Sequence, residues 1–376
     1  MEVFDSEFTQ RVIFGENSID KLAEATITLG GSRILIVSDP GIEEAGILER
    51  AYSSLNSEKI PCYVFTNVEP NPTTKHVNAA LQFAFSNAPI DLIIGLGGGS
   101  AMDCAKGVNF LLTNGGKMED YWGTNKATKP MLPSIGIPTT IGTGSEAQSY
   151  ALIAQEDTHI KMACGDKKAK FETVILDPTL TETLPRSVAA ITGIDAIAHA
   201  IESYVSTRCN PMSQMFSLQA WRLLNTYYKM ALEPNNVKAR GKMLFGAYLA
   251  GLAIENSMLG AAHACANPLT ARYGITHGVA VALMLPQVIR LNKTIAGEFY
   301  NELYPDGNLA DRIETLMNTG DLPNTLHQCD VQQAIKSTDI PILAKDAATQ
   351  WTAQFNPRSL QIHDFMRYMS RYIDKL

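Results

Sequence analysis

The sequence predicts an α/β domain with a parallel sheet over residues 1–183, followed by an all-α domain over residues 184–376. Three observations predict it. Short β-branched runs alternate with helical patterns through the first half, the signature of β-α-β units. After Pro185 such runs disappear, and Ala, Leu, Met and Ile recur at helical spacing. A length of 376 residues exceeds one ordinary domain and suits two.

The elements follow in order. RILIVSD at 33–39 reads as a buried strand, because apolar residues succeed one another without alternation. PCYVFTNV at 61–68 and DLIIGLGG at 91–98 read the same way, and SAMDCAKGVNFLLT after the third strand reads as a helix. PSIGIPTT at 133–140 and VILDP at 174–178 complete five strands. The domain boundary is expected near Thr183–Arg186, where Leu-Pro breaks the pattern. Helical periodicity then runs from about 187 to 260 and again from 278 to 292. There is no internal repeat and no low-complexity linker.

Composition excludes several classes of function. Hydrophobic residues at 45% and charged residues at 18% describe a globular enzyme rather than a disordered chain. Lys and Arg number 31 against 38 Asp and Glu, a net charge of −7 with no basic run, so neither nucleic acid nor an anionic membrane is expected as partner. Six cysteines without C-x-x-C spacing fit a reduced, cytoplasmic setting. MEVFDSEFTQ at the start does not read as a signal peptide, and no run of 18 apolar residues lacks a charge, so no membrane span is expected.

Two glycine-rich turns follow strands. Gly95, Gly97, Gly98, Gly99 and Ser100 lie between a strand and a helix, where bare backbone N–H groups and a helix N-terminus suit a phosphate. G-x-G-x-x-G is not met, since position 100 is Ser, and a plain tight turn would read alike. The second turn, Pro138 to Glu146, clusters the hydroxyls of Thr139, Thr140 and Thr143, which suit ribose, phosphate or amide groups. A polar approach to a helix cap at Ser145 is the simpler alternative. Two such turns together favour a nucleotide-type ligand. Asp39 ends the first strand, as a ribose acceptor that would disfavour a 2′-phosphate, or as a turn-former before Pro40-Gly41.

In the second half, Asp195 and His199 stand four apart in an apolar helix, so both project from one face. His263 and His277 sit in similarly apolar surroundings. One carboxylate and three imidazoles suit a divalent first-row ion. Each also has an ordinary reading: Asp195 as the carboxylate of a capping box begun by Thr192, a histidine as a satisfied core residue.

At this point the chain resembles the iron-containing (group III) alcohol dehydrogenase family, of the dehydroquinate synthase-like fold. The likeness runs nearly end to end: Ser38-Asp39-Pro40-Gly41, Glu69-Pro70-Asn71-Pro72-Thr73, Gly97-Gly98-Gly99-Ser100 continuing to Asp103-Cys104-Ala105-Lys106, Gly142-Thr143-Gly144-Ser145-Glu146, Gly193-Ile194-Asp195-Ala196, His199-Ala200-Ile201-Glu202, His277-Gly278 and Asn356-Pro357-Arg358. The resemblance implies an NAD-binding domain followed by a metal- and substrate-binding domain, the two ligands meeting in a cleft. It implies that Gly97, Gly98, Gly99 and Ser100 hold the pyrophosphate. Asn71, Thr139, Thr140, Thr143 and Lys161 take further cofactor positions, and Asp39 takes the position that separates NAD from NADP. Asp195, His199, His263 and His277 match the ligands of Fe²⁺, with Zn²⁺ as the alternative. The implied partners are a small alcohol or aldehyde and a second copy of the chain in a homodimer.

Two positions depart from the family pattern. Thr276 replaces a common proline before the last ligand, and Asn267 replaces a common histidine four residues after the third. Asn267 is the expected catalytic-position residue, although an amide cannot carry a proton at neutral pH. The expected reaction is NAD-linked interconversion of small alcohols with aldehydes or ketones. A polyol dehydrogenase or a metal- and NAD-dependent lyase of the same fold is the alternative, and basic residues for an anionic lyase substrate are sparse between 187 and 285.

Overall fold

The computed structural model describes residues 4, 6, 8–331 and 335–370. The chain divides into two compact units between Leu184 and Pro185.

The first unit begins with strand β1 (Arg11–Phe14) and helix α1 (Leu22–Thr28). It continues through β2 (Ile34–Val37), α2 (Pro40–Glu44), α3 (Ile47–Ser57), β3 (Cys62–Phe65) and α4 (Thr74–Ser86). Then come β4 (Leu92–Gly97), α5 (Gly99–Asn114), β5 (Gly123–Thr124), β6 (Ser134–Pro138), β7 (Tyr150–Ala154), β8 (Lys161–Gly165) and β9 (Thr173–Leu176). Six strands form a parallel sheet in the order β1-β9-β6-β4-β2-β3. All five expected strands are in it. ILIV of β2 and LIIGLG of β4 are buried along their whole length as anticipated, whereas β3, expected to be buried too, lies at the sheet edge and is only partly buried. Ile34, Ile36, Leu92, Ile94, Leu96, Ile135, Ile137 and Ile175 form one core with α1 and α3, and each fully buried aliphatic side chain contributes about 1.5–3 kcal/mol. β1 and the three-stranded sheet β5-β8-β7 were not expected from sequence. β5 is two residues long and β1 is at most half-buried, so neither presents a continuous buried run, and β7 alternates in burial.

The strand order determines where a ligand can sit. From β2 the chain moves outward to β3, then returns to lay β4 on the other side of β2. Outside the carboxyl ends of β2 and β4 the connections part in opposite directions, leaving a crevice. Val37 pairs with Gly95, and Gly97 pairs with Pro138, so Asp39, the glycine turn and the Thr139 turn stand side by side.

The second unit is helical among its described residues: α6 (Arg186–Val205), α7 (Pro211–Ala231), α8 (Val237–Glu255), α9 (Ala261–Tyr273), α10 (His277–Leu303), α11 (Leu309–Thr319), α12 (Ile340–Ala348) and α13 (Ile362–Ser370). By length and composition α6 and α10 could each span a membrane, but 78% and 72% of their apolar windows are already buried within the protein. They are the core helices of this unit. α10 can press against α6 because Gly278 has no side chain: a Cβ there would lie 2.6 Å from the Ile191 carbonyl. That close approach brings His277 to the helix carrying Asp195.

Candidate cofactor turn and metal centre

In the first unit, the ends of β2, β4 and β6 are tied together by hydrogen bonds. Ser38 Oγ donates to the Leu96 carbonyl at 2.7 Å, and the Thr139 N–H donates to the Gly97 carbonyl at 3.0 Å. Gly97 has φ +147°, and a Cβ there would come within 2.9 Å of Asp39 Oδ2. Asp39 thus does two things at once. Its Oδ1 caps α2 by accepting from the Ile42 N–H at 3.2 Å, and its Oδ2 lies against the glycine turn. Burial raises its carboxyl above the usual range, opposed by the N–H bonds of Ile42 and Gly41.

Gly98 precedes the first turn of α5, a 16-residue helix whose N-terminal N–H groups face outward from the sheet's carboxyl edge. Thr140 and Thr143 border this turn. A Cβ at Gly98 would meet Thr140 Cγ2 at 3.4 Å, and one at Gly99 would meet Thr143 Oγ1 at 2.5 Å. Thr140 Oγ1 is buried and has no hydrogen-bond partner among the described residues. The structure therefore gathers Asp39, Gly97, Gly98, Gly99, Ser100, Thr139, Thr140 and Thr143 at one edge. Asn71 lies in the loop before α4 in a left-handed conformation (φ 54°), and Lys161 opens β8 opposite Ala154.

Sequence reasoning missed what holds the second turn in place. Lys106, 2% exposed on α5, donates to the Ser145 carbonyl at 2.7 Å, to Ser145 Oγ at 3.0 Å and to the Tyr150 carbonyl at 2.8 Å. Ser145 Oγ donates in turn to Asp103 Oδ1 at 2.5 Å. The available signal was an Asp and a Lys three apart in an otherwise apolar helix, since buried charges are retained only in pairs.

Glu146, next to Ser145, is fully buried, and beyond its own backbone neither carboxylate oxygen has a hydrogen-bond partner among the described residues. Burial pushes its carboxyl up to about 7. The folded chain then keeps the proton up to about pH 7, while the unfolded chain loses it near the ordinary value of 4.5. Stability falls as pH rises across that window, by on the order of 3 kcal/mol at 1.36 kcal/mol per unit. Glu146→Gln removes this slope, so urea unfolding should show the variant gaining on the parent between pH 5 and pH 8. Parallel pH profiles for the two proteins would disprove the assignment.

In the second unit, α6 presents Asp195 and His199 one turn apart, α9 presents His263 in its first turn, and α10 opens with His277. Asp195, His263 and His277 each offer a ligand atom, all within 4.8 Å of one another. His199 adjoins this group. Its Nε2 is 3.7 Å from Asp195 Oδ2, and its ring stacks on that of His263 at 5.0 Å. His263 Nε2 lies 3.5 Å from Asp195 Oδ1, close enough for charge but not aligned as a hydrogen bond. Burial drives His199 down to about 4. Burial also opposes charge on His263, but the Glu202 and Asp195 carboxylates outweigh it and raise that ring to about 9.

This donor set fits a metal. Asp195 Oδ1 and His263 Nε2 face each other, both buried without hydrogen-bond partners among the described residues. Leaving such atoms unsatisfied costs about 1–3 kcal/mol each, a cost that coordination removes. One carboxylate oxygen and imidazole nitrogens suit Fe²⁺ or Zn²⁺. Glu202 was named from sequence only as part of a motif. It is 4% exposed, accepts from the Ala262 N–H at 2.7 Å, and sits 2.5 Å from His263 Nδ1. Asn267, one turn beyond His263 on α9, donates to Gln350 Oε1 at 2.9 Å.

Comparison with known proteins agrees with both units. The family model described as iron-containing alcohol dehydrogenase matches residues 9–178, and its C-terminal counterpart matches residues 189–372. Alcohol dehydrogenase 4 of Schizosaccharomyces pombe is 40% identical over 281 residues, 74% of this chain and 66% of that protein. The NAD-dependent methanol dehydrogenase of Bacillus methanolicus is 28% identical over 94% of this chain and 95% of its own. A crystal structure of 1,3-propanediol oxidoreductase superimposes with a TM-score of 0.93 at 30% identity, covering 99% of this chain and 100% of that one.

Proposed function

The chain belongs to the iron-containing alcohol dehydrogenase family, and from that premise we propose that it is an NAD- and metal-dependent dehydrogenase interconverting small alcohols with aldehydes or ketones. The observation that carries the reading is the convergence of Asp195, His263 and His277 ligand atoms within 4.8 Å, with His263 buried and Asp195 and His277 half-buried. Asp195, His199, His263 and His277 would hold the metal. A bound Fe²⁺ or Zn²⁺ supplies Lewis acidity, which lowers the pKa of an alcohol and polarises a carbonyl. NAD supplies the hydride acceptor.

The remaining work falls to the chain's own groups. The N–H groups of Gly97, Gly98, Gly99 and Ser100, with the α5 N-terminus, hold the pyrophosphate. Asn71, Thr139, Thr140, Thr143 and Lys161 position the rest of the cofactor, and Asp39 faces its ribose. Asn267 orients a neighbouring polar group by hydrogen bonding and leaves the proton to a water chain or a ribose hydroxyl, because its amide does not titrate. A homodimer in the cytoplasm completes the reading, and six free thiols are consistent with a reducing compartment.

The test is NADH absorbance after metal loading, with ethanol, 1-propanol and 1,2-propanediol in one direction and their carbonyl products in the other. No turnover in either direction would refute the dehydrogenase and favour the lyase alternative. The same assay tests cofactor choice. A 2′-phosphate beside Asp39 brings two negative groups together, worth about 1–4 kcal/mol at about 4 Å. NAD should be preferred to NADP, and Asp39→Gly should narrow the gap about tenfold or more, chiefly through KM for NADP. An unchanged preference would place Asp39 away from the ribose.

A further inference from the structure

Glu202 lies on α6, three residues after His199, and reaches α9 rather than its own helix. Both of its oxygens are engaged there. Oε1 accepts the Ala262 N–H at 2.7 Å, one of the N–H groups that the first turn of α9 cannot satisfy within the helix. Oε2 lies 2.5 Å from His263 Nδ1. Gly260 leaves room for this, since a Cβ at that position would come within 3.1 Å of Oε1.

An ionised carboxylate only accepts hydrogen bonds. His263 must therefore donate from Nδ1, so the proton given up when a metal binds is the one on Nε2, and the lone pair appears there. That nitrogen is the one 3.5 Å from Asp195 Oδ1, buried and without a hydrogen-bond partner among the described residues. We infer that Glu202 is a positioning residue: by locking His263 in the Nδ1–H form and fixing its ring to the first turn of α9, it sets the affinity of the Asp195–His199–His263–His277 group for a divalent ion. The inference rests on the proposed metal site and adds to it a group that touches neither metal nor substrate. Outer partners of this kind typically control metal affinity by about 10- to 100-fold.

The isosteric change Glu202→Gln separates this role from packing. With its oxygen kept on the Ala262 N–H, the amide presents N–H to His263 Nδ1 and turns that nitrogen into an acceptor. The proton then moves to Nε2, and the lone pair no longer faces the ligand group. Purified, metal-stripped full-length protein is titrated with Zn²⁺ and Co²⁺ against a competing chelator. Glu202→Gln should bind each ion about 10- to 100-fold more weakly with unchanged far-UV circular dichroism, and Glu202→Asp should recover part of the loss. The ¹⁵N spectrum of the Zn²⁺-loaded parent supplies a readout independent of any variant, with His263 protonated at Nδ1 and metal-bound at Nε2. Equal affinity in parent and Glu202→Gln, or metal on Nδ1, overturns the positioning role while the site stands. Failure of the parent to bind either ion overturns the metal-site reading and this inference with it.

Discussion

Asp195→Asn should strip most of the bound metal and lower alcohol turnover about 10³-fold while the chain stays folded. The carboxylate is the only anionic group among the four proposed ligands, and it lies within 3.7 Å of His199 Nε2 and 3.5 Å of His263 Nε2. The imidazoles beside it hold its carboxyl below the usual range despite burial, so the group is charged at any working pH. An amide of the same shape keeps the packing but is a poor ligand for a divalent ion. Lewis-acid stabilisation contributes several kcal/mol to a reaction of this kind, and each 1.36 kcal/mol is tenfold in rate. Metal content per chain and kcat are the two measurements, with circular dichroism as the check on folding. Full metal content together with undiminished turnover would remove Asp195 from the site.

Gly97→Ala should weaken cofactor binding about 10- to 100-fold without disturbing the second unit. The backbone at Gly97 has φ +147°, which side-chain-bearing residues rarely adopt. A Cβ there would also meet both Asp39 Oδ2 and Ala101 Cβ at 2.9 Å. Holding an ordinary residue in such a conformation costs about 1–3 kcal/mol, and relief moves either Asp39 or the turn that presents its N–H groups. Gly115→Ala is the comparison, because Gly115 also has positive φ (77°) but open space around it, at the far end of α5. Both variants should lose stability, and only Gly97→Ala should raise the dissociation constant for NADH, read by fluorescence titration. Equal NADH affinity in the two variants would show that the turn does not carry the cofactor.

Much of the fold was legible because its signals are local. Whole-length burial wrote β2 and β4 as apolar runs and left β6 and β9 short but rich in Ile, Val and Leu, and the glycines between β4 and α5 marked the turn directly. The four-residue spacing of Asp195 and His199 was enough to place both on one face of α6. His263 and His277 were different: apolar surroundings made them candidates, but nothing in their spacing joins them to α6, and only the resemblance implied that they belong with it.

Tertiary structure decided the rest, because it depends on pairs distant in sequence. Parallel register, Val37 with Gly95 and Gly97 with Pro138, is what puts the Asp39 carboxylate against the glycine turn while it also caps α2. Close helix packing at Gly278 is what brings His277 to Asp195. The Lys106 and Glu202 contacts cross 39 to 61 residues of chain, and their hydrogen-bond geometry exists only after the helices have packed. Residue types and their local period therefore determined which elements form and which side chains can do chemistry. Strand register and helix approach, which no local pattern encodes, decided which of those side chains meet.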